Sequence, residues 1–123
     1  MTSSAVPERP LILCIDDDDL ALRVRRLLLG NAGYAVLTAS SGEAGLEVLK
    51  NNPVNLVIAD QFLSAKTGTE IAREMKEVKP EVPILIVSGS DEAPSGVEFT
   101  DGFLPKGEAP NVLLDAVGRL LKA

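Results

Sequence analysis

The chain has 123 residues, of which 46% are hydrophobic, and a formal net charge of -6. This length predicts a single domain, and the hydrophobic share is too high for a disordered chain. The acidic balance argues against broad binding to nucleic acid, which needs a basic surface. The chain contains no histidine, which excludes histidine-based metal sites, histidine general bases and its own phosphorylation on histidine.

The N-terminus and the single cysteine bear on location. Residues 1–10 lack the basic start and apolar centre of a signal peptide, and we expect them to form a flexible tail. No apolar stretch reaches the roughly 20 residues that span a bilayer. Cys14 lies inside an apolar run, so we expect a buried structural thiol rather than a reactive one or part of a disulfide. Together these features predict a cytoplasmic protein without membrane contact.

The chain begins with a strand and a helix. The run Leu11–Ile15 is apolar at consecutive positions, as expected for a strand that is covered on both faces. Asp18 or Asp19 can cap the helix that follows, and Gly33 is a stop signal. The apolar stripe of this helix is predicted from Leu20, Val24, Leu27 and Leu28.

Short apolar runs continue to alternate with helical patterns, which predicts a parallel sheet with helical crossovers. Further strands are expected at 34–39, 55–59, 84–87 and 103–104, with helices that begin after Ser41, near Gly68 and at Pro110. Residues 89–100 contain Pro94 and Gly96 and few apolar side chains, so a full-length helix is not expected there. The count is five strands and about five helical connections, one of them weak.

Four of these strands end at residues suited to phosphoryl chemistry. Asp16 and Asp17 follow the first strand, Asp60 follows the third, Ser88 the fourth, and Lys106 comes after the last. Parallel strands bring their carboxyl ends to one edge, where open α/β sheets bind ligands, so these side chains are expected to share a pocket. A carboxylate can act as a nucleophile, and grouped carboxylates favour a bound cation.

The pattern resembles the receiver domains of bacterial two-component response regulators, of the single-domain chemotaxis type. The matching pieces are residues 12–18 (Ile-Leu-Cys-Ile-Asp-Asp-Asp), Asp60 with Gly68, residues 86–89 (Ile-Val-Ser-Gly) and residues 103–106 (Phe-Leu-Pro-Lys). The resemblance runs from about Leu11 to the C-terminus. It implies a receiver domain over residues 11–123 with a doubly wound, flavodoxin-like five-stranded parallel sheet of order 2-1-3-4-5. The family's fourth helix is expected to be shortened or irregular here.

The resemblance also implies the chemistry. Asp60 is expected to accept a phosphoryl group from a sensor histidine kinase or a His-containing phosphotransfer protein, in a reaction that requires Mg²⁺. The implied metal site comprises Asp16 (through a water), Asp17, Asp60 and the backbone carbonyl of Phe62. Lys106 is expected to hold a phosphoryl oxygen, and Ser88 to donate its hydroxyl after transfer. Phe103 is the implied aromatic switch residue, and the output is binding to an unidentified downstream protein, with no direct contact to nucleic acid.

The sequence departs from the family pattern at four places. Ser64 and Gly107 stand where a proline is usual, and Gly89 replaces a usual alanine. The fourth departure is the irregular segment 89–101, which puts the usual output surface in question while leaving the pocket complete. The apolar side chain of Phe62 cannot position an attacking water, which predicts slow self-dephosphorylation.

Other interpretations remain open at this point. The acids at 16–19 could be a capping cluster, Ser88 a turn hydroxyl and Phe103 plain core packing. The basic residues Arg23, Arg25 and Arg26 suit either a kinase-docking face or a solvated helix face. A receiver-like scaffold that is never phosphorylated is the alternative function. A phosphatase is disfavoured, because Phe62 occupies the position where a second acid would be needed.

Overall fold

The computed structural model describes residues 9–90 and 92–122, which form one five-stranded parallel sheet with helices on both faces. The strands are β1 (Leu11–Ile15), β2 (Ala35–Ala39), β3 (Leu56–Asp60), β4 (Ile84–Ser88) and β5 (Gly102–Pro105). The helices are α1 (Asp19–Asn31), α2 (Gly42–Asn51), α3 (Gly68–Val78) and α4 (Pro110–Lys122). The strand order is β2-β1-β3-β4-β5, and every pair is parallel. The predicted fold class and order are confirmed.

Two core layers cover the two faces of the sheet. Leu13 and Ile15 pack on the side of α2 and α3, whereas Ile12 and Cys14 pack on the side of α1 and α4. Because side chains alternate along a strand, a strand buried on both faces must be apolar at every position, as β1 is. Cys14 is fully buried, as predicted. Burial raises the pKa of its thiol to about 12.

Side-chain caps set where the helices begin. The carboxylate of Asp18 accepts the backbone N–H of Leu20, so α1 starts immediately after the acidic end of β1. The hydroxyl of Ser41 caps α2 in the same way. Thr67 and Glu70 form a reciprocal capping box at the start of α3. Each cap satisfies N–H groups that lack partners within the helix, and the first cap keeps Asp16 and Asp17 at the edge of the sheet.

The predicted apolar stripe of α1 is wrong. Leu20, Val24 and Leu27 are 64%, 58% and 67% exposed, whereas Leu22 and Leu29 are buried against the sheet. The physical reason is that α1 carries apolar residues on two opposite faces. Helical spacing alone does not say which face meets the sheet.

The predicted tail is too long at its C-terminal end. Residues 1–8 lie outside the described part of the chain, but Pro10 is buried and its carbonyl accepts the N–H of Ala35 at 3.0 Å. Pro10 therefore extends the pairing between β1 and β2, since a proline carbonyl can accept a hydrogen bond although its nitrogen cannot donate one.

The link between β4 and β5 is irregular, as predicted. Among its described residues the helical structure is a single 3₁₀ turn at Val97–Phe99. The guanidinium of Arg73 on α3 lies 4.6 Å from the centre of the Phe99 ring, which holds this turn against α3. Asp101 then accepts the N–H of Ile84 and pairs with Lys76, so the chain re-enters the sheet at a fixed point.

Within residues 9–90 and 92–122, no helix has the length and apolar character needed to cross a membrane.

Candidate functional site

Four strand ends meet at one edge of the sheet. Asp16 follows β1, Asp60 ends β3, Ser88 ends β4 and Lys106 follows β5. The register places Asp60 beside Val87, and the N–H of Lys106 donates to the carbonyl of Ser88. The ladder hydrogen bonds thus fix the backbone beneath the polar side chains, as the sequence pattern predicted.

Three acids gather at this edge. Asp16, Asp17 and Asp60 each offer a carboxylate oxygen within 4.8 Å of the others. Asp16 and Asp60 are buried, while Asp17 is exposed at the rim. Carboxylate oxygens are the ligands that Mg²⁺ prefers, and the ion usually takes one or two of them and keeps several waters. The donor set therefore fits the implied cofactor.

Lys106 balances part of this negative charge. Its Nζ lies 3.0 Å from Oδ2 of Asp60 and 3.3 Å from Oδ2 of Asp16. Burial lowers the pKa of Lys106, but the hydrogen bond and charge of Asp60, together with Asp16, outweigh burial and raise it overall. Burial raises the pKa of Asp60, and the charge of Asp16 adds to this, although Lys106 opposes both. The two groups form an ion pair in a site where extra negative charge is costly.

Arg25 is a second cation at the pocket that the sequence patterns did not place there. Its Nη1 lies 3.9 Å from Oδ2 of Asp16. The Arg25 side chain is 11% exposed and that of Asp16 is 1% exposed, so this is a largely buried contact. The spacing of Arg25 from Leu22 and Leu29, three and four residues, was the signal that could have placed it on the buried face of α1.

The backbone after β3 orients the carboxylate of Asp60. The N–H of Phe62 donates to Oδ1 of Asp60 at 3.3 Å, while the Phe62 side chain is 61% exposed. The first turn of α3 packs on the Asp60 carbonyl at Gly68, where an added Cβ would collide with that oxygen. Gln61 is buried, and its side-chain amide makes two hydrogen bonds with Thr69. Its Nε2 donates to the Thr69 hydroxyl, and its Oε1 accepts the Thr69 backbone N–H. The loop after Asp60 is therefore tied firmly to α3.

Ser64 provides a further contact that the sequence did not reveal. Its hydroxyl donates to Oδ2 of Asp17 at 3.2 Å across 47 residues of chain. The residue that departs from the family's usual proline thus holds the one exposed acid of the cluster.

Ser88 and Phe103 lie on the strands that the sequence predicted for them. Ser88 is buried at the end of β4, and its hydroxyl accepts the N–H of Ser90 at 3.2 Å. Phe103 is partly buried on β5 and packs against the core layer on the α2 and α3 side. The structure brings Asp16, Asp17, Asp60 and Lys106 together, while Phe103 belongs to the core beside them.

An apolar groove adjoins the pocket between α1 and the start of α4. Its volume is about 490 Å³, and its lining includes Gly107 and Lys106, the residue that contacts Asp60. Its apolar walls include Leu20, Val24, Leu28, Leu104 and Leu113. Arg25 lies in the wall that this groove shares with the acidic pocket.

Comparisons with known proteins agree on one family. The family model described as the response regulator receiver domain matches residues 12–118. The transcriptional regulatory protein GlrR of Escherichia coli (strain K12) is 33% identical over 115 residues, which cover 90% of this chain and 26% of GlrR. The response regulator MprA of Mycobacterium sp. (strain KMS) is 32% identical over 119 residues, which cover 92% of this chain and 51% of MprA. The chain thus spans about a quarter to a half of the length of these relatives.

Solved structures show the same fold. The crystal structure of a CheY-like response regulator receiver domain protein from Methanospirillum hungatei JF-1 superposes with a TM-score of 0.86. The two chains are 26% identical, and the match covers 93% of this chain and 94% of the other.

Proposed function

Because the chain belongs to the response regulator receiver domain family, we propose that Asp60 accepts a phosphoryl group from a phosphohistidine on a sensor histidine kinase or a His-containing phosphotransfer protein. An Asp60 oxygen bonds to phosphorus, the phosphorus–nitrogen bond breaks, and the imidazole leaves with the electron pair. The observation that carries the proposal is the convergence of Asp16, Asp17 and Asp60 beside the ammonium group of Lys106.

Different residues around Asp60 position its carboxylate, the phosphoryl group and the metal ion. The N–H of Phe62 and the ammonium of Lys106 hold one oxygen each, which fixes the direction of the carboxylate. Lys106 is then placed to bind an oxygen of the incoming phosphoryl group. Asp16, Asp17, Asp60 and the backbone carbonyl of Phe62 are the proposed ligands of Mg²⁺. When bound, this ion neutralises charge on the transferred group, since phosphoryl transfer depends mainly on positioning and charge neutralisation.

The modified state is proposed to change partner binding through Ser88 and Phe103. Ser88 would exchange its present hydrogen bond with Ser90 for one to the phosphoryl group, and Phe103 would repack against the adjoining core. A shift of population between two such conformations is sufficient to switch affinity for a downstream protein. Beyond its own phosphorylation and dephosphorylation, we propose no enzymatic activity. The cytoplasmic location and the lack of direct nucleic-acid contact stay predictions.

The groove beside the pocket is the proposed docking place for the phosphodonor. Asp60 is nearly fully buried, so a phosphohistidine reaches it only across the rim of the pocket. The lining of the groove includes Lys106, which touches Asp60, and its apolar wall includes the exposed residues Leu20 and Val24. A helix that carries the histidine and presents apolar side chains fits this surface, a common mode of helix recognition.

Substitution in the groove separates docking from chemistry. Val24→Glu is expected to slow transfer from a histidine kinase without slowing reaction with acetyl phosphate, which needs no docked protein. Leu27→Glu is the matched control, because Leu27 is exposed on the same helix but does not line the groove. Equal transfer rates from the kinase to both variants and to the wild type would place docking elsewhere.

The central test is phosphorylation by a small donor. Wild-type protein incubated with acetyl phosphate and Mg²⁺ is expected to gain the mass of one phosphoryl group, and Asp60→Asn is expected to gain none. Asp115→Asn, the same change at an exposed position on α4, controls for the substitution itself. A wild-type protein that shows no mass gain and no spectral response to beryllium fluoride would instead support the scaffold function.

A further inference from the structure

Arg25 occupies a position that a charged side chain rarely takes. It lies between Leu22 and Leu29 on the face of α1 that packs against the sheet, and its side chain is only 11% exposed. Its Nη1 is buried, and among the residues that the structure describes it has no hydrogen-bond partner. Burying a guanidinium without full compensation costs free energy, so its place calls for an explanation beyond packing.

The carboxylate that faces Arg25 is Asp16. Oδ2 of Asp16 lies 3.9 Å from Nη1 of Arg25 and 3.3 Å from Nζ of Lys106, so this oxygen lies near two cations. Its other oxygen accepts the N–H of Asp18 at 3.0 Å. Asp16 is therefore held from three directions, and its charge is offset before any metal ion arrives.

We propose that Arg25 is a positioning residue that sets the Mg²⁺ affinity of the acidic pocket and keeps it weaker than the three carboxylates and Lys106 alone would make it. The inference rests on the proposed function, which makes the acidic cluster a Mg²⁺ site. A fixed positive charge 3.9 Å from a carboxylate oxygen of Asp16 repels a divalent cation that binds to the same cluster. Because this charge is largely buried, salt screens the repulsion poorly.

The same charge stabilises the protein without metal. Asp16 and Asp60 are both buried and repel each other, and Lys106 alone is shared between them. Arg25 supplies a second cation, 3.9 Å from the buried carboxylate of Asp16, that offsets part of the negative charge of the cluster. It thereby favours the metal-free pocket and disfavours the metal-loaded one, which makes Mg²⁺ binding responsive to the concentration of the ion rather than permanent.

The test is to measure the Mg²⁺ dissociation constant by isothermal titration calorimetry. Arg25→Met keeps the length and apolar stem of the side chain and removes its charge, while Arg25→Gln is a second neutral variant if the first folds poorly. Removal of one charge near a divalent ion is expected to tighten binding about tenfold. Arg25→Lys, which keeps the charge, is expected to stay within about twofold of the wild type.

Arg23→Met is the matched control, since Arg23 is exposed on the same helix and the substitution makes the same change in net charge. Its dissociation constant is expected to equal that of the wild type. A neutral Arg25 variant that folds and binds Mg²⁺ no more tightly than the wild type overturns the inference, because a purely structural role predicts weaker or unchanged binding.

The outcome separates this inference from the proposed function. Wild-type protein that is phosphorylated on Asp60, with neutral Arg25 variants that show no tightening, refutes the role of Arg25 alone. Wild-type protein that binds no Mg²⁺ refutes both.

Discussion

Nζ of Lys106 lies 3.0 Å from Oδ2 of Asp60, although 46 residues separate the two in the chain. The contact joins the ends of two strands that do not neighbour each other, since β4 lies between β3 and β5. One substitution at this lysine therefore removes a cation that contacts both buried acids of the pocket.

Lys106→Met is expected to lower the rate of phosphorylation by acetyl phosphate by about tenfold or more, because an oriented charge that binds a phosphoryl oxygen is lost. Mg²⁺ binding is expected to persist, since the carboxylates remain. Mass spectrometry over time and calorimetry measure the two effects. Lys50→Met, at an exposed position on α2, is the control, and a Lys106→Met protein that is phosphorylated at the wild-type rate would contradict the proposed role.

Asp60→Asn is expected to stabilise the metal-free protein at neutral pH by about 1 kcal/mol, the usual size of a single favourable substitution. The reason is that burial and the charge of Asp16 raise the pKa of Asp60, so its ionised form disfavours the folded state. Because the pKa of Asp60 is raised in the folded state, this cost is complete above the folded pKa, shrinks as the pH falls below it, and is absent below the unfolded value of 3.8. Urea unfolding in EDTA across a pH series measures the difference, and a constant difference at all pH values would exclude this cause.

Phe62→Asn is expected to speed loss of the phosphoryl group from Asp60. The Phe62 side chain is exposed beside Asp60 and lacks a polar atom that could orient an attacking water. A gain of about tenfold is within the range of general acid–base assistance. Phosphate release over time measures the rate. Phe99→Asn, at the other exposed phenylalanine, is the control, and equal rates in wild type and Phe62→Asn would remove the idea.

Cys14 is expected not to react with iodoacetamide in the folded protein at pH 8 and to react fully in urea. Burial raises the pKa of its thiol from 9.0 to about 12, so the reactive thiolate is absent and the sulfur is also inaccessible. Because the unfolded thiol ionises first, the contribution to stability is complete below pH 9 and is lost as the pH rises toward 12. A Cys14→Ala protein is expected to lack this alkaline loss, and rapid labelling of the native wild type would show that β1 opens.

Two glycines are expected to respond in opposite directions to alanine. Gly68→Ala brings a Cβ against the backbone carbonyl of Asp60 and is expected to lower the free energy of unfolding by about 2 kcal/mol. Gly30 lies in α1 with open space around its Cα, so Gly30→Ala is expected to raise it by about 0.5 to 1 kcal/mol. Urea unfolding measures both, and a stable Gly68→Ala protein would show that the loop after Asp60 can shift.

The sequence predicted the sheet well because its three central strands, β1, β3 and β4, are buried on both faces. Consecutive apolar residues gave β1 its observed bounds, and the polar residue after each run marked the edge of the sheet. The convergence of Asp16, Asp60 and Lys106 followed from parallel order alone. Neither result needed knowledge of how the helices pack.

The sequence misled where one helix offered two apolar faces. Leu20, Val24 and Leu27 have the spacing of a core stripe, yet they face outward, and Arg25 lies toward the sheet. Arginine is almost never buried without a partner, so its charge outweighed the helical spacing that placed it between Leu22 and Leu29. The partner, Asp16, follows only from the way that α1 packs on the sheet, which a sequence pattern does not show.

The contact between Arg25 and Asp16 also affects the net charge of the acidic pocket during the proposed phosphorylation of Asp60. With Arg25 and Lys106 charged, the three carboxylates leave one negative charge uncompensated. A divalent ion reverses that sign, and a doubly charged acyl phosphate in place of the Asp60 carboxylate then brings the cluster close to neutrality. Enclosing a neutral cluster away from water costs least. The surrounding loops are accordingly expected to close after phosphorylation rather than before it.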